Sequence, residues 1–179
     1  MSDYSISFVP RLSNYPDKEI KAKEILDWLI SLDIVKANPT NCILSEGDGY
    51  GISHGAVKVV HHPKELPFEL SVNGLEITTE RTVFDTGENF TEQLICPNCQ
   101  EDIAFEDWDL ESWISEESDD LTCNACGVNS NIHSYTFEPQ MGFSNLGFTF
   151  WNWPELKPDF INSFEEKLNC KIDIVYRHL

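Results

Sequence analysis

The sequence has no positive charge over most of its second half. No Lys or Arg occurs between Arg81 and Lys157, whereas that stretch contains fifteen Asp and Glu residues. Over all 179 residues, 31 acidic residues stand against 12 basic ones, which gives a formal net charge of −19. Contacts to a phosphate backbone need Lys or Arg, so we expect no nucleic-acid partner. This excess of acidic residues has two explanations: the surface only keeps the protein soluble, or it attracts a basic protein partner.

Long apolar runs are also absent. No run of about 18 apolar residues occurs, which predicts no transmembrane helix and no membrane partner. The first residues, MSDYSISFVPRLSNYPDKE, lack the charged-then-apolar pattern of a signal peptide. We therefore expect a cytoplasmic protein. Apolar residues make up 41% of the chain and aromatic residues 12%, which is enough for one sizeable core.

The apolar periodicity predicts an α+β protein. YSISFVPRL alternates as a strand does, and NYPDKEIKAKEILDWLISLDIV has apolar residues at helical spacing, with residues 38–40 (Asn-Pro-Thr) as its stop. In the middle, NCILSEGDGYGISHGAVKVV predicts two strands around a glycine-rich turn, and Asn73-Gly74 predicts a hairpin. SYTFEP and LGFTFWNW predict strands, KPDFINSFEEKLN a helix and KIDIVYRHL a last strand. The expected fold is a mainly antiparallel sheet with a helix near each end of the chain.

Four of the six cysteines form two Cys-x-x-Cys pairs. Cys96 and Cys99 form the first pair and Cys123 and Cys126 the second, with 23 residues between the pairs. Two residues between paired cysteines let the backbone turn so that both sulfurs aim at one ion, and two such turns complete a tetrahedral zinc site. We expect a structural Zn²⁺ ion, because four sulfur ligands leave no open position for water or substrate. An iron–sulfur centre and a redox-active pair are weaker alternatives.

The pairs read CPNC and CNACG, and they resemble those of the zinc-ribbon family, Cys-Pro-x-Cys and Cys-x-x-Cys-Gly. The resemblance covers Ile95 to about Val128, and it implies that the four cysteines are the ligands of a small β-hairpin ribbon. Ribbon inserts are usually short and often basic, whereas AFEDWDLESWISEESDD is acidic and predicts a helix. The nucleic-acid role of many ribbons is therefore not expected here. The whole chain more loosely resembles a type of small bacterial protein in which a zinc-binding segment precedes an FTFWNWP-like strand.

These features predict a single body and an insert. Residues 1–94 and 129–179 are expected to form one α+β body, and residues 95–128 the inserted four-cysteine zinc ribbon. Within the body, FTFWNWP should place Phe148 and Phe150 on one strand face and Trp151 and Trp153 on the other. Core packing is the expected role of these side chains, and an exposed aromatic binding surface is the alternative.

No catalytic motif stands out. EGDGYG lacks the Gly-Lys-Ser/Thr of a phosphate-binding loop. Cys42 and Cys170 lie in apolar surroundings and are expected in the core, and His133 follows the second cysteine pair closely. We therefore favour a non-enzymatic, zinc-stabilised acidic binding protein, comparable by charge to immunity-type and inhibitory proteins. The alternative is an enzyme of unknown class with a site near Asp48, His54, His61 and His62.

Overall fold

Six strands form the central sheet in a computed structural model that describes residues 2–179. They are β1 (Tyr4–Pro10), β2 (Val35–Thr40), β3 (Gly49–Ile52), β4 (Leu75–Thr78), β11 (Gly147–Trp151) and β12 (Ile172–His178). Their order across the sheet is β12-β1-β11-β4-β3-β2, and every neighbouring pair is antiparallel. The predicted α+β class with a mainly antiparallel sheet is confirmed.

Shorter strands pair two by two outside this sheet. They are β5 (Thr82–Phe84) with β10 (Gly142–Ser144), β6 (Gln93–Ile95) with β9 (Thr136–Glu138), and β7 (Asp120–Thr122) with β8 (Asn129–Asn131). The α-helices are α1 (Lys18–Ser31), α2 (Glu111–Ile114) and α3 (Pro158–Leu168), and short 3-10 helices occur at His54–Lys58, Pro63–Glu65 and Ile132–Ser134. Among residues 2–179, the helices are too short or too polar to cross a lipid bilayer.

Helices α1 and α3 cover one face of the central sheet. Alternation along β1 and β11 places Phe8 and Phe148 on that face, where both are fully buried. The ring of Phe164 in α3 packs edge-on against them, with centroid distances of 5.0 Å to Phe8 and 5.1 Å to Phe148. Trp28 of α1 stacks on Phe160 of α3 at 5.9 Å. The two helices therefore share one aromatic core with the sheet.

The FTFWNWP segment belongs to the core. Its four aromatic side chains are at most 2% exposed, so core packing is confirmed and the exposed aromatic surface is wrong. The predicted division between strand faces is also wrong for Trp153. Asn152 has a positive φ of 62°, which ends the alternation, and Trp153 joins Phe150 in the helix-side core at a centroid distance of 5.0 Å. Trp151 packs on the opposite face, against Cys42.

The middle of the chain differs from the sequence prediction. Residues 38–40 do not stop a helix but continue β2, an edge strand, where proline is tolerated. Of NCILSEGDGYGISHGAVKVV, only β3 is a strand, and His54–Lys58 is a 3-10 helix. Asn73-Gly74 is not a hairpin turn, because the N–H groups of both residues donate to the carbonyl of Cys42, at 3.0 and 2.9 Å. A distant backbone acceptor has therefore replaced the local turn.

A second apolar cluster lies around the paired cysteines. Its buried members are Leu94, Cys96, Ile103, Trp113, Leu121, Cys123, Ile132, Tyr135, Phe137, Met141 and Phe143. The strands β6, β7, β9 and β10 and helix α2 contribute to it. The division into a body of residues 1–94 and 129–179 and an insert of residues 95–128 stays a prediction.

Two glycines let β5 and β10 pack closely on the helix-free face of the central sheet. A Cβ atom on Gly142 would lie 2.7 Å from a methyl carbon of Val9, and a Cβ atom on Gly147 would overlap the ring of Phe84. Val9 and Phe84 form a small buried cluster with Val175 of β12. Close approach of the two layers therefore requires glycine at both positions.

We predict that Gly147→Ala lowers the free energy of unfolding by about 1–3 kcal/mol, because the added methyl group has no space beside the Phe84 ring. Gly51→Ala is the matched control in β3, since its Cβ would meet its nearest neighbours at 3.8 Å, an ordinary contact. Denaturant unfolding of the two variants gives the comparison. Equal stabilities would contradict the close packing of β5 on the sheet.

Candidate metal centre

The four paired cysteines come together at one point. Their Sγ atoms lie within 4.8 Å of one another. The Cys96 and Cys126 sulfurs are 3.8 Å apart, and so are those of Cys99 and Cys123. Tetrahedral zinc with Zn–S bonds of about 2.3 Å places its sulfurs about 3.8 Å apart. The cluster therefore fits a metal ion such as Zn²⁺, and residues 2–179 contain no second group of His, Cys, Asp or Glu with this spacing.

Both cysteine pairs use the same backbone turn. The carbonyl of Cys96 accepts a hydrogen bond from the N–H of Gln100 at 3.0 Å. The N–H of Cys96 donates to the carbonyl of Glu101, also at 3.0 Å. Cys123 repeats both hydrogen bonds, at 2.7 and 3.1 Å. The fourth residue after the first cysteine of each pair has a positive φ, 63° at Gln100 and 73° at Gly127. Glycine is suited to this conformation, and Gln100 adopts it although its side chain disfavours it.

The sulfurs differ in their exposure to solvent. Cys96 and Cys123 are fully buried, whereas Cys99 and Cys126 are half-buried at the rim. Asn98 connects the two turns, because its backbone N–H donates to the Cys96 sulfur at 3.4 Å and its side-chain amide to the Cys126 sulfur at 3.5 Å. N–H donors directed at sulfur stabilise the thiolate form that binds a metal ion.

The thiols do not ionise independently. Burial raises the pKa of Cys96, but the N–H groups of Cys99 and Asn98 outweigh that effect and lower the pKa to about 6. A backbone hydrogen bond from Glu101 lowers the pKa of Cys99, but burial and the three neighbouring sulfurs raise it to about 12. The first thiolate thus opposes the formation of the next one. A divalent cation would remove that repulsion and let all four sulfurs act as thiolates.

Arg81 anchors the acidic segment that lies between the cysteine pairs. Its side chain is 5% exposed and pairs with Asp119 at 2.7 Å. It also donates to the carbonyls of Trp113 (2.6 Å) and Ser118 (3.2 Å), and its guanidinium carbon lies 4.1 Å from the centre of the Trp113 ring. Sequence analysis missed this contact, since Arg81 is 32 residues from Trp113. A buried base from outside the acidic segment therefore neutralises one of its carboxylates.

His133 takes part in a buried contact beside the cluster. The Trp113 indole donates to Ser13 Oγ at 2.9 Å, and Ser13 Oγ lies 3.1 Å from His133 Nε2. An indole can only donate, so Ser13 Oγ accepts from Trp113, and the second ring nitrogen of His133 is Nδ1. Within residues 2–179, that buried Nδ1 has no hydrogen-bond partner. Burial lowers the pKa of His133 to about 4, so its ring is neutral at pH 7.

The helix predicted for AFEDWDLESWISEESDD is a single turn, α2. The Asp109 carboxylate accepts from the Glu111 N–H at 2.9 Å at its start, and Glu116, with φ of 65°, lies just after its end. Trp113 is buried, whereas Ile114 is 59% exposed. The rest of the segment is irregular.

The residues of the alternative catalytic site lie on the surface. Asp48, His54, His61 and His62 are all exposed. Asp48 lines a cavity of ≈ 420 Å³ with residues of α1 and β3, and none of the three histidines lines that cavity. The ring of His54 stacks on Phe68 at 5.8 Å. Of the two unpaired cysteines, Cys42 is buried and Cys170 is half-buried against the sheet core.

The chain matches no protein-family model, no curated protein and no solved structure. The likeness to zinc ribbons therefore rests on the four cysteines, their spacing and the two matching backbone turns.

We predict that the His133 ring stays neutral until the pH falls to about 4, because burial opposes its protonation. The unfolded chain, with a histidine pKa of about 6.5, binds this proton more tightly. The contribution of His133 to stability is therefore complete above pH 6.5 and is lost as the pH falls towards 4. NMR titration of the ring protons measures this directly, and titration near 6.5 would contradict the buried placement.

Proposed function

We propose that the protein binds one structural Zn²⁺ ion through Cys96, Cys99, Cys123 and Cys126, and that it acts as a non-enzymatic binding protein for a basic protein partner. The observation that carries this proposal is the four-sulfur cluster with tetrahedral spacing, from which an acidic segment without Lys or Arg extends.

The donor set supports zinc in a structural role. Thiolate ligands favour soft or borderline metal ions such as Zn²⁺ over Mg²⁺ and Ca²⁺, which prefer oxygen. Sulfur occupies all four corners, so no position stays open for a water molecule or a substrate, as a catalytic zinc site requires. The ion would hold together two backbone turns that are 23 residues apart in sequence.

We predict about one zinc ion per chain in protein purified without added metal, measured by elemental analysis. Cys123→Ser removes a fully buried ligand, and it should abolish most of the bound zinc. Cys170→Ser is the matched control, because Cys170 lies apart from the cluster, and it should leave the zinc content unchanged. Folded wild-type protein without metal, or with iron in place of zinc, would contradict the proposal.

The surface of the acidic segment supports a protein partner. Eight of its ten acidic residues are exposed, namely Glu101, Asp102, Glu106, Asp107, Asp109, Glu111, Glu116 and Glu117. Phe105, 81% exposed, and Ile114, 59% exposed, lie in the same segment. A surface that serves only solubility does not need exposed Phe and Ile side chains, whereas protein interfaces combine apolar contacts with surrounding charge.

The charge selects the class of partner. Four thiolates around one divalent cation leave two net negative charges, which add to the exposed carboxylates of the segment. This surface repels a phosphate backbone within the Debye length of about 8–10 Å, and it steers a basic protein into contact. Immunity-type and inhibitory proteins use acidic surfaces in this way, and we propose a role of that kind by analogy of charge.

We predict that a basic protein captured by this chain associates more slowly as the salt concentration rises, because electrostatic steering is screened. A variant in which four exposed acidic residues of the segment are changed to amides should associate more slowly than the wild type at the same salt concentration. Its substitutions are Glu106→Gln, Asp107→Asn, Glu116→Gln and Glu117→Gln. Asp119 is left unchanged, since it pairs with Arg81. Surface plasmon resonance gives the rates.

The control variant carries the same change of net charge elsewhere on the surface. Its substitutions are Glu46→Gln, Asp48→Asn, Glu65→Gln and Glu69→Gln, all at exposed positions. It should slow association much less than the variant in the acidic segment does. If both variants slowed association equally, net charge alone would explain the effect and the acidic segment would have no special role. Tight binding of duplex DNA or RNA by the wild-type protein would overturn the proposed class of partner.

A further inference from the structure

The helix-free face of the central sheet carries buried hydroxyl side chains. Ser5 and Ser7 of β1 and Thr149 of β11 are 2%, 5% and 7% exposed. In the sheet register, Ser5 lies opposite Arg177 and Trp151, and Ser7 lies opposite Thr149. The Ser7 and Thr149 hydroxyls are hydrogen-bonded to each other at 2.7 Å. Sheet positions buried to this degree usually carry apolar side chains, because a buried hydroxyl without a partner, such as that of Ser5, costs free energy.

These hydroxyls form the floor of a cavity that opens to solvent beside the exposed residues Ser45 and Asp85. Strand β5 and Asp85 cover it, and the cover is tied to the end of β12, where the N–H of Glu88 donates to the His178 carbonyl at 2.9 Å. The cavity has a volume of ≈ 160 Å³, enough for about five water molecules. Besides the floor hydroxyls, its polar lining includes Ser45, Glu76, Thr78, Asp85 and Arg177.

Glu76 is held in a fixed orientation at the cavity. Its Oε2 atom accepts from the Trp151 indole at 2.8 Å and from the Ser45 hydroxyl at 2.9 Å. Within residues 2–179, its Oε1 atom has no protein donor, and the hydroxyls of Ser5 and Thr78 have no protein partner. A pre-oriented carboxylate oxygen and unpaired hydroxyls are therefore available to a molecule in the cavity.

The charges at the cavity disfavour an anionic guest. Arg177 and Asp85 form an ion pair at 3.0 Å, so their charges cancel. Glu76 then gives the lining one net negative charge, which disfavours anions. Glu76 Oε1 can accept a hydrogen bond from a guest hydroxyl, and the Ser5 and Thr78 hydroxyls can donate or accept one. Trp151 and Phe84 supply apolar surface.

We propose that this cavity binds a small neutral polyhydroxylated molecule, a polyol or a monosaccharide. Glu76 Oε1 and the Ser5 and Thr78 hydroxyls make its hydrogen bonds. The proposal does not depend on the zinc site or on the protein partner, since it rests on residues of the central sheet and its cover.

NMR titration of the full-length protein with glycerol, ribose, glucose and myo-inositol tests the proposal. At least one probe should shift the Ser5 and Thr149 amides and the Trp151 indole N–H with saturation at millimolar concentration. Glu76→Gln keeps the shape of the side chain but loses the charged acceptor, and it should weaken binding at least about tenfold.

Ser5→Val separates a binding site from a merely hydrated cavity. The added methyl groups would fill the floor of the cavity, so binding should be lost while the fold stays intact or gains stability. Thr40→Val, at an exposed position of β2, should bind as the wild type does. No saturable shift with any probe, binding that survives Ser5→Val, or tighter binding of inorganic phosphate than of every polyol would overturn the proposal.

Discussion

Four sulfur atoms meet within 4.8 Å, and the chain from Leu94 to Phe143 is arranged around that requirement. Each cysteine pair is held by a turn with two backbone hydrogen bonds and a residue of positive φ. The buried cluster beside the sulfurs then receives Trp113 from the short helix α2. Because four thiolates confined in this way repel one another, a bound cation would stabilise the arrangement.

Backbone pairing joins both ends of the acidic segment to the rest of the molecule, through the N–H of Ile103 to Leu94 and through β7 to β8. Arg81 adds the contacts of the middle of the segment, since its buried guanidinium group reaches Asp119, two carbonyls and the face of Trp113. The Trp113 indole adds a hydrogen bond to Ser13, beside the end of β1. Together these contacts hold the segment in place and leave eight of its ten acidic residues exposed.

Features with local causes were predictable from the sequence. Two Cys-x-x-Cys pairs predicted a common metal site because each pair fixes its own turn, and alternation predicted β1, β11 and β12 because one sheet face is apolar. Asn73-Gly74 failed as a hairpin because the carbonyl of Cys42 satisfies its N–H groups from far away in sequence. Trp153 changed face because of one residue with positive φ, Asn152. The Arg81–Trp113 contact and the hydroxyl-lined cavity depend on tertiary packing, which no local pattern contains.

The separation of the cysteine pairs has a thermodynamic consequence. A metal ion that joins Cys99 to Cys123 closes a loop of 23 residues, and a cross-link around a loop of this size removes chain entropy from the unfolded state equal to about 3 kcal/mol. A disulfide would make such a link permanent in an oxidising compartment. A metal link is instead governed by mass action, because binding to the folded state alone adds RT ln(1 + [L]/Kd) to its stability. The order of the acidic segment, and of any surface that it presents, would therefore follow the concentration of the free metal ion.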